Sequence, residues 1–358
     1  MEKAPGQLKE VATVNLQDVA ERAQVSIATV SRVLNNAGPV KKSTRARVLR
    51  VVAELNYHPN LHARTLAGGK SRTLGVIVSN LENPFFLDIF RAIESDAHRH
   101  GYEVVVANTD YRPQQLLSSV HLMMGRRVAG LAVIVSEMES GLMQELMQSN
   151  LRVVFYDVGK AGGNISNIRT NYPRGIQKTV EYLYSLGHRR IGFVGHHAAL
   201  DPLCDRQRSF VEAMKRYANQ VEYGAITDRD GPAGGQQATR QLLDSGLRPT
   251  AIVAVNDFMA LGVLKELRES SLRVPQDVSV TGYDNIQLAE FAVPPLTTVN
   301  IPRADIGHLA FKALVPQADD EQEIQGREFR INPELVIRES TAVAPPSFDP
   351  CERTGYST

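Results

Sequence analysis

The residues best placed to do chemistry are Ile27, Ala28, Thr29, Ser31, Arg32 and Asn35. They alternate with Val30, Val33 and Leu34, which recur at the spacing of one helical face. A helix that buries the valines therefore turns a small, mostly polar surface outward. Such a surface suits the major groove of DNA, where base edges offer donors, acceptors and thymine methyls. Nothing comparable points to catalysis. The chain has no Walker loop, nucleophile elbow, zinc-ligand cluster or dinucleotide fingerprint. Its glycine-rich stretches, Ala67-Gly68-Gly69-Lys70 and Gly231-Pro232-Ala233-Gly234-Gly235, stand in the wrong contexts for phosphate binding. No cofactor is expected, and recognition rather than catalysis is the indicated chemistry.

Three helices are needed to hold that surface. Leu16, Val19, Ala20 and Ala23 share a face of a first helix, and Gln24-Val25-Ser26 forms the turn into the second. Val48, Val51, Val52 and Leu55 define a third helix, with Ser43 or Thr44 as its expected cap and Pro59 as its stop. A generic helical hairpin is the competing reading of the first two, but a helix-turn-helix accounts for the exposed face as well. The next segment, NLHARTLAGGKSRT, is short and basic and ends in Gly68-Gly69. Residues 16–70 carry nine Lys and Arg against three acids, a net charge of +6, although the whole chain has only +1. A basic module on a mildly acidic body is the footprint of a nucleic-acid binder.

From Thr73 the pattern changes. Val- and Ile-rich runs such as TLGVIV, GLAVIV, RVVFY, AIVAV and DVSVTGYD alternate with amphipathic segments. Continuous apolar runs between helices predict parallel sheets covered on both faces. The alternation falls into two series that divide near Tyr172, implying two doubly wound α/β subdomains. In such folds ligands bind beyond the carboxyl ends of the strands. With 358 residues, 43% of them hydrophobic, the chain is long enough for several cores. Cys204 and Cys351 are too few for a disulfide framework. Neither a membrane-spanning run nor a signal-peptide core is present, so no membrane partner and a cytoplasmic location are expected.

The ordered series DVAERAQVSIATVSRVLN, ELNYHPN and ARTLAGGKSRTLGV closely resembles the LacI/GalR family of bacterial transcription regulators. The resemblance runs from about Val14 to Ala342. It implies a helix-turn-helix domain over 14–59, a hinge helix and linker over 60–71, and an effector-binding core over 72–340 of periplasmic-binding-protein type. The chain is expected to cross between subdomains near 171, 300 and 328. That divides the core into 72–171 with 300–327, and 172–299 with 328–340. Residues 341–358 are Pro-rich and polar and are expected to be disordered.

By the same resemblance, Ile27, Ala28 and Arg32 read bases. Ile27 and Ala28 offer only apolar contact, whereas Arg32 can fork onto guanine. Thr29, Ser31 and Asn35 position the module on phosphates. In the hinge, Leu66 is the wedge into a central minor-groove step of a double-stranded operator, with Asn60 and Ala63 beside it. A pseudo-palindromic site implies a homodimer. The effector candidates are Phe85, Phe86, Asp157, Arg206, Asn256 and Asp284, a set suited to a sugar or sugar derivative. One of the two phenylalanines is expected to pack in the core instead. Asp257 is expected to cap its helix and leave Asn256 to the ligand. Ser209 stands where the family usually has Gly. Asn171-Tyr172 stands where it has Asp-Asn, so no effector contact is expected there. A ligand sensor without operator-specific activity is the competing reading, disfavoured by the basic head.

Overall fold

In a computed structural model the described residues are 14–34, 38–57, 71–139, 141–197, 201–217, 220–315 and 325–346. They divide between two compact units, Met1–Lys70 and Ser71–Thr358. Asn35, Asn60, Ala63 and Leu66 lie outside the described residues.

The first unit contains α1 (Leu16–Arg22), α2 (Ile27–Leu34) and α3 (Lys42–Glu54). Asn15 caps α1 by accepting from the Gln17 and Asp18 amides at 2.8 and 3.2 Å, and Asp18 accepts back from the Asn15 amide at 2.7 Å. This reciprocal pair satisfies amides that the first turn leaves open. Gln24 takes a left-handed conformation, φ 51°, and reverses the chain into α2. Val19, Ala20, Ala23, Val30, Val33, Val48 and Val51 form the buried core, as their spacing predicts. The cap of α3 differs from expectation. Lys42 is already helical, and Lys41 precedes the helix without a side-chain bond, so neither Ser43 nor Thr44 caps it.

The second unit is built on two six-stranded sheets. The first takes β1 (Thr73–Val78), β2 (Glu103–Asn108), β3 (Gly130–Ile134), β4 (Arg152–Tyr156), β5 (Ile165–Thr170) and β11 (Glu328–Ile331). Their spatial order is β11-β5-β4-β3-β1-β2, with every neighbouring pair parallel. The second takes β6 (Arg190–His196), β7 (Glu222–Asp228), β8 (Ala251–Ala254), β9 (Ser279–Asp284), β10 (Thr297–Asn300) and β12 (Glu334–Val336), in the order β12-β10-β9-β8-β6-β7. Only β12 runs antiparallel to its neighbour. The central strands β3, β8 and β9 are buried along their whole length, as β-branched runs between two helical layers must be.

The connecting helices are α4 (Pro84–Arg99), α5 (Pro113–Gly125), α6 (Leu142–Gln148), α7 (Tyr172–Ser185), α8 (Asp201–Lys215), α9 (Pro232–Asp244), α10 (Asp257–Glu269), α11 (Gln287–Phe291) and α12 (Arg303–Leu314). Helix α12 packs on α4 and the first sheet, so the chain changes subdomain after Thr170, after Asn300 and after Ile331. The last crossing comes later than the expected 328, because Glu328–Ile331 extends the first sheet beside Asn167–Thr170.

Candidate functional site

On the first unit, packing of Val30 and Val33 inward leaves Ile27 47% exposed, with Ala28 and Arg32 also exposed. Thr29 and Ser31 are half-buried. The Ser26 hydroxyl accepts from the Thr29 amide at 3.2 Å and meets the Thr29 hydroxyl at 2.9 Å, so Thr29 also serves the start of α2. The helix thus presents one guanidinium and two apolar groups on a single exposed face. Lys41, Lys42, Arg47 and Arg50 are exposed on and before α3, which adds positive charge for phosphates.

In the second unit, the carboxyl ends of both sheets converge on one cleft. Asn83 caps α4 through the Phe85 amide at 3.1 Å, and Pro84 occupies the first helical turn. That cap places Phe85 and Phe86 directly beyond β1. Their rings meet edge-to-face at 5.3 Å, and Phe85 lies 5.7 Å from the Tyr156 ring. Both phenylalanines are buried in the core cluster and both line the cleft, so the expected split between core and ligand does not occur.

Asp157 follows β4 in a left-handed conformation, φ 60°. Its carboxylate accepts from the Thr170 amide at 2.6 Å and from the Tyr172 hydroxyl. Tyr172 therefore lines the cleft, against the expectation that this departure from the family pattern removes it from the site. Asn171 instead caps α7 through the Arg174 amide at 3.2 Å. Burial pushes the Asp157 carboxyl up to about 6, against the bonds from Tyr172 and Thr170 that favour its charge.

Arg206 is 4% exposed. One of its nitrogens donates to the Val255 carbonyl at 2.7 Å, and another forms an ion pair with Asp284 at 3.2 Å. Its guanidinium lies 4.7 Å from the Tyr172 ring centre and 4.5 Å from that of Tyr283. Asp284 ends β9 at φ 101°, and burial raises its carboxyl to about 6 although Arg206 and Arg303 oppose the shift. Arg206 Nε has no hydrogen-bond partner among the described residues, and Asp284 Oδ1 has only the ion pair with Arg206.

The helix cap expected of Asp257 falls to Asn256. Asn256 is the helix cap, accepting from the Met259 amide at 2.7 Å while its own amide donates to Asp230 at 3.0 Å. Asp257 is fully buried and accepts from the Thr298 hydroxyl at 2.6 Å and the Ile286 amide at 2.8 Å, tying the loop after β9 to β10. Burial, reinforced by the nearby Asp284, raises its carboxyl to about 8. Asn256 nevertheless lines the cleft, so capping and facing the ligand space coexist.

Sequence reasoning missed Tyr111, Tyr156, His196 and Asp230. Tyr111 follows β2 and Asp230 follows β7, and the strand-end rule alone could have flagged both. The free space among the cleft side chains is about 20 Å³, room for one ordered water. All six expected effector residues meet in this closed cleft.

A helix-turn-helix unit, followed in the same chain by two α/β subdomains around a polar cleft, defines a DNA-binding protein with a built-in ligand sensor. The family model described as bacterial regulatory proteins, lacI family, matches residues 15–60, and that of the periplasmic binding protein-like domain matches residues 180–341. The chain is 33% identical over 327 residues to the HTH-type transcriptional repressor PurR of Photobacterium profundum, covering 91% of this chain and 98% of that protein. It is 34% identical over 328 residues to the ribose operon repressor of Escherichia coli, covering 91% and 99%. Among solved structures, the lac repressor dimer bound to operator and an anti-inducer superposes with a TM-score of 0.79 at 32% identity, covering 92% of this chain and 99% of that one. The chain belongs to the LacI family and is a sequence-specific, DNA-binding transcriptional regulator. Among the described residues no helix is long and apolar enough to cross a membrane.

Proposed function

We propose that this chain is a cytoplasmic, homodimeric repressor without catalytic activity, switched by a small carbohydrate bound between its two subdomains. Each dimer reads a pseudo-palindromic double-stranded operator. Ile27, Ala28 and Arg32 contact bases, and Thr29, Ser31 and Asn35 contact phosphates. Leu66, flanked by Asn60 and Ala63, wedges into the minor groove.

The observation that carries the effector class is the unfinished hydrogen bonding of the cleft. Arg206 Nε is buried and unpartnered and Asp284 Oδ1 has only its ion pair with Arg206, with Asp157 and Asn256 beside them and the Phe85–Phe86 pair as apolar wall. Buried polar atoms need partners, and a ring bearing several hydroxyls supplies donors and acceptors together with an apolar face. The repressor named for a ribose operon makes D-ribose the first sugar to test. A ligand that prefers one closure state shifts the population of that state, and the shift reaches the DNA-binding heads through the hinge.

The test is calorimetric titration of the full chain with D-ribose and a panel of aldoses and polyols, paired with the Arg206→Met variant. One sugar binds the wild type and loses at least tenfold in affinity to the variant. Equal affinity in both proteins refutes the placement of the site. Binding by no sugar, alongside tight binding of a nucleobase or nucleoside, refutes the carbohydrate class.

A further inference from the structure

We infer that Tyr111 and Asp230 form a latch across the cleft, one that sets the balance between its closed and open forms and that a bound effector must displace. The Tyr111 hydroxyl donates to Asp230 Oδ2 at 2.6 Å, joining the loop after β2 of the first subdomain to the loop after β7 of the second. The other Asp230 oxygen accepts from the Asn256 amide at 3.0 Å. Both carboxylate oxygens are therefore engaged, one on each side of the cleft.

The position of this bond gives it leverage. β2 and β7 are the edge strands of their sheets, at the opposite end from the strands β5, β10, β11 and β12 where the chain crosses between subdomains. Contacts beside the crossings, such as Tyr172 with Asp157, hardly separate when the subdomains swing apart. The far edges separate most. A hydrogen bond there is broken early in opening, so its strength enters the closed-state population directly.

The Tyr111 half of the latch is built at a conformational cost. Asp110 and Tyr111 are consecutive left-handed residues, φ 53° and 57°, a conformation that is uncommon for a bulky side chain. The turn is anchored from behind, where the Thr109 and Ser79 hydroxyls both donate to the buried carboxylate of Glu137, that from Ser79 at 2.6 Å. The Tyr111 ring lies 4.8 Å from the His196 ring across the cleft and 6.4 Å from that of Phe86. On the opposite side, Gly231 is left-handed at φ 94°. A Cβ on Gly234 would lie 1.7 Å from the Arg229 carbonyl oxygen, so the loop bearing Asp230 folds onto the first turn of α9. The glycine-rich stretch that matches no phosphate-binding motif thus has a use, which is to bring Asp230 to the cleft. With only about 20 Å³ free behind the latch, a sugar-sized occupant requires Tyr111 and Asp230 to part or to rebond through it.

The functional consequence rests on the cleft being the effector site, whereas the test needs no effector. Spin labels are attached at Gln115→Cys and Gln241→Cys, one exposed position in each subdomain, in a full-length Cys204→Ser, Cys351→Ser background. With unlabelled protein in excess, pulsed electron resonance gives the inter-subdomain distance distribution. Tyr111→Phe retains the ring contacts and removes only the hydroxyl. Loss of a hydrogen bond to a charged acceptor is expected to raise the open-to-closed ratio about tenfold. The same substitution made in an Asp230→Ala background leaves the ratio unchanged from that background. Identical distributions in wild type and Tyr111→Phe overturn the latch, as does a Tyr111→Phe effect that persists without Asp230. Failure of this test leaves the carbohydrate assignment standing, and failure of the sugar titration leaves the latch standing.

Discussion

Replacing Asp157 by Asn should stabilise this protein at neutral and alkaline pH while removing a carboxylate proposed to hold the effector. Burial lifts the carboxyl from 3.8 to about 6, roughly two units, and each unit corresponds to about 1.4 kcal/mol. Above pH 6 the folded protein therefore holds a buried charge at a cost near 3 kcal/mol relative to the unfolded chain. Between pH 4 and 6 the folded state binds more protons than the unfolded state. Wild-type stability from this group consequently falls as pH rises through that window and is lowest above it. Asn is isosteric and uncharged. Its oxygen can accept from the Thr170 amide, and its amide can donate to the Tyr172 hydroxyl, which is free to turn toward Tyr156 at 3.4 Å. Neither bond has to be lost.

Urea unfolding of the two full-length proteins from pH 4.5 to 8 measures the difference. At pH 8 the midpoint of the variant should lie above that of the wild type by up to about 1 M, for a denaturant slope near 3 kcal/mol per molar. Toward pH 4.5 the gap should close. Sugar affinity should fall in parallel, as is common where a functional site holds an unfavourable buried charge. A variant less stable than wild type by the same amount at every pH would refute the reasoning. It would mean that the bonds from Thr170 and Tyr172 outweigh the burial of the charge.

Arg32→Ala should weaken binding to an operator selected from random DNA by about 1–3 kcal/mol and relax selectivity at a single guanine, measured by fluorescence anisotropy across base-substituted sites. Lys42→Ala should weaken all sequences alike and reduce the salt dependence of binding. Asn15→Ala removes the cap of α1 and should cost the helix-turn-helix unit about 1 kcal/mol, seen as earlier loss of amide-exchange protection in residues 16–34 than in the second unit. Gly262→Ala sets a Cβ 1.9 Å from the Pro232 carbonyl oxygen, so α9 and α10 must move apart. Its thermal midpoint should drop by several degrees, the scale for overpacking of about 1–3 kcal/mol. An unchanged midpoint would show that the helices yield freely.

Much of the fold is legible because its signals are local. Val19, Ala23, Val30, Val33 and Val48 recur at helical spacing, and those residues form the core of the head. The β3 and β8 runs are apolar throughout because helices cover both faces of their sheets. The misreadings concern residues with two possible partners. Asn256 and Asp257 are both good helix caps in sequence, and only the approach of Thr298 and Ile286 draws Asp257 into the interior. Ser43 and Thr44 are good caps too, yet the helix begins before them.

Patterning and the family motif together identified a basic reading helix, two parallel sheets and the strand ends from which a ligand would be held. Periodicity and propensity act over a few residues, so one chain suffices to reveal them. The tertiary structure alone decided which polar groups face one another across the cleft. Tyr111 and Asp230 are separated by 119 positions, and no local signal records their bond. The same holds for Tyr172, whose departure from the family pattern looks like a loss until its hydroxyl is seen on Asp157. Such pairs exist because two separate sheets present their carboxyl ends to a common space. Burial in that space raises the Asp157 and Asp284 carboxyls, and no property of an isolated aspartate in sequence foretells it.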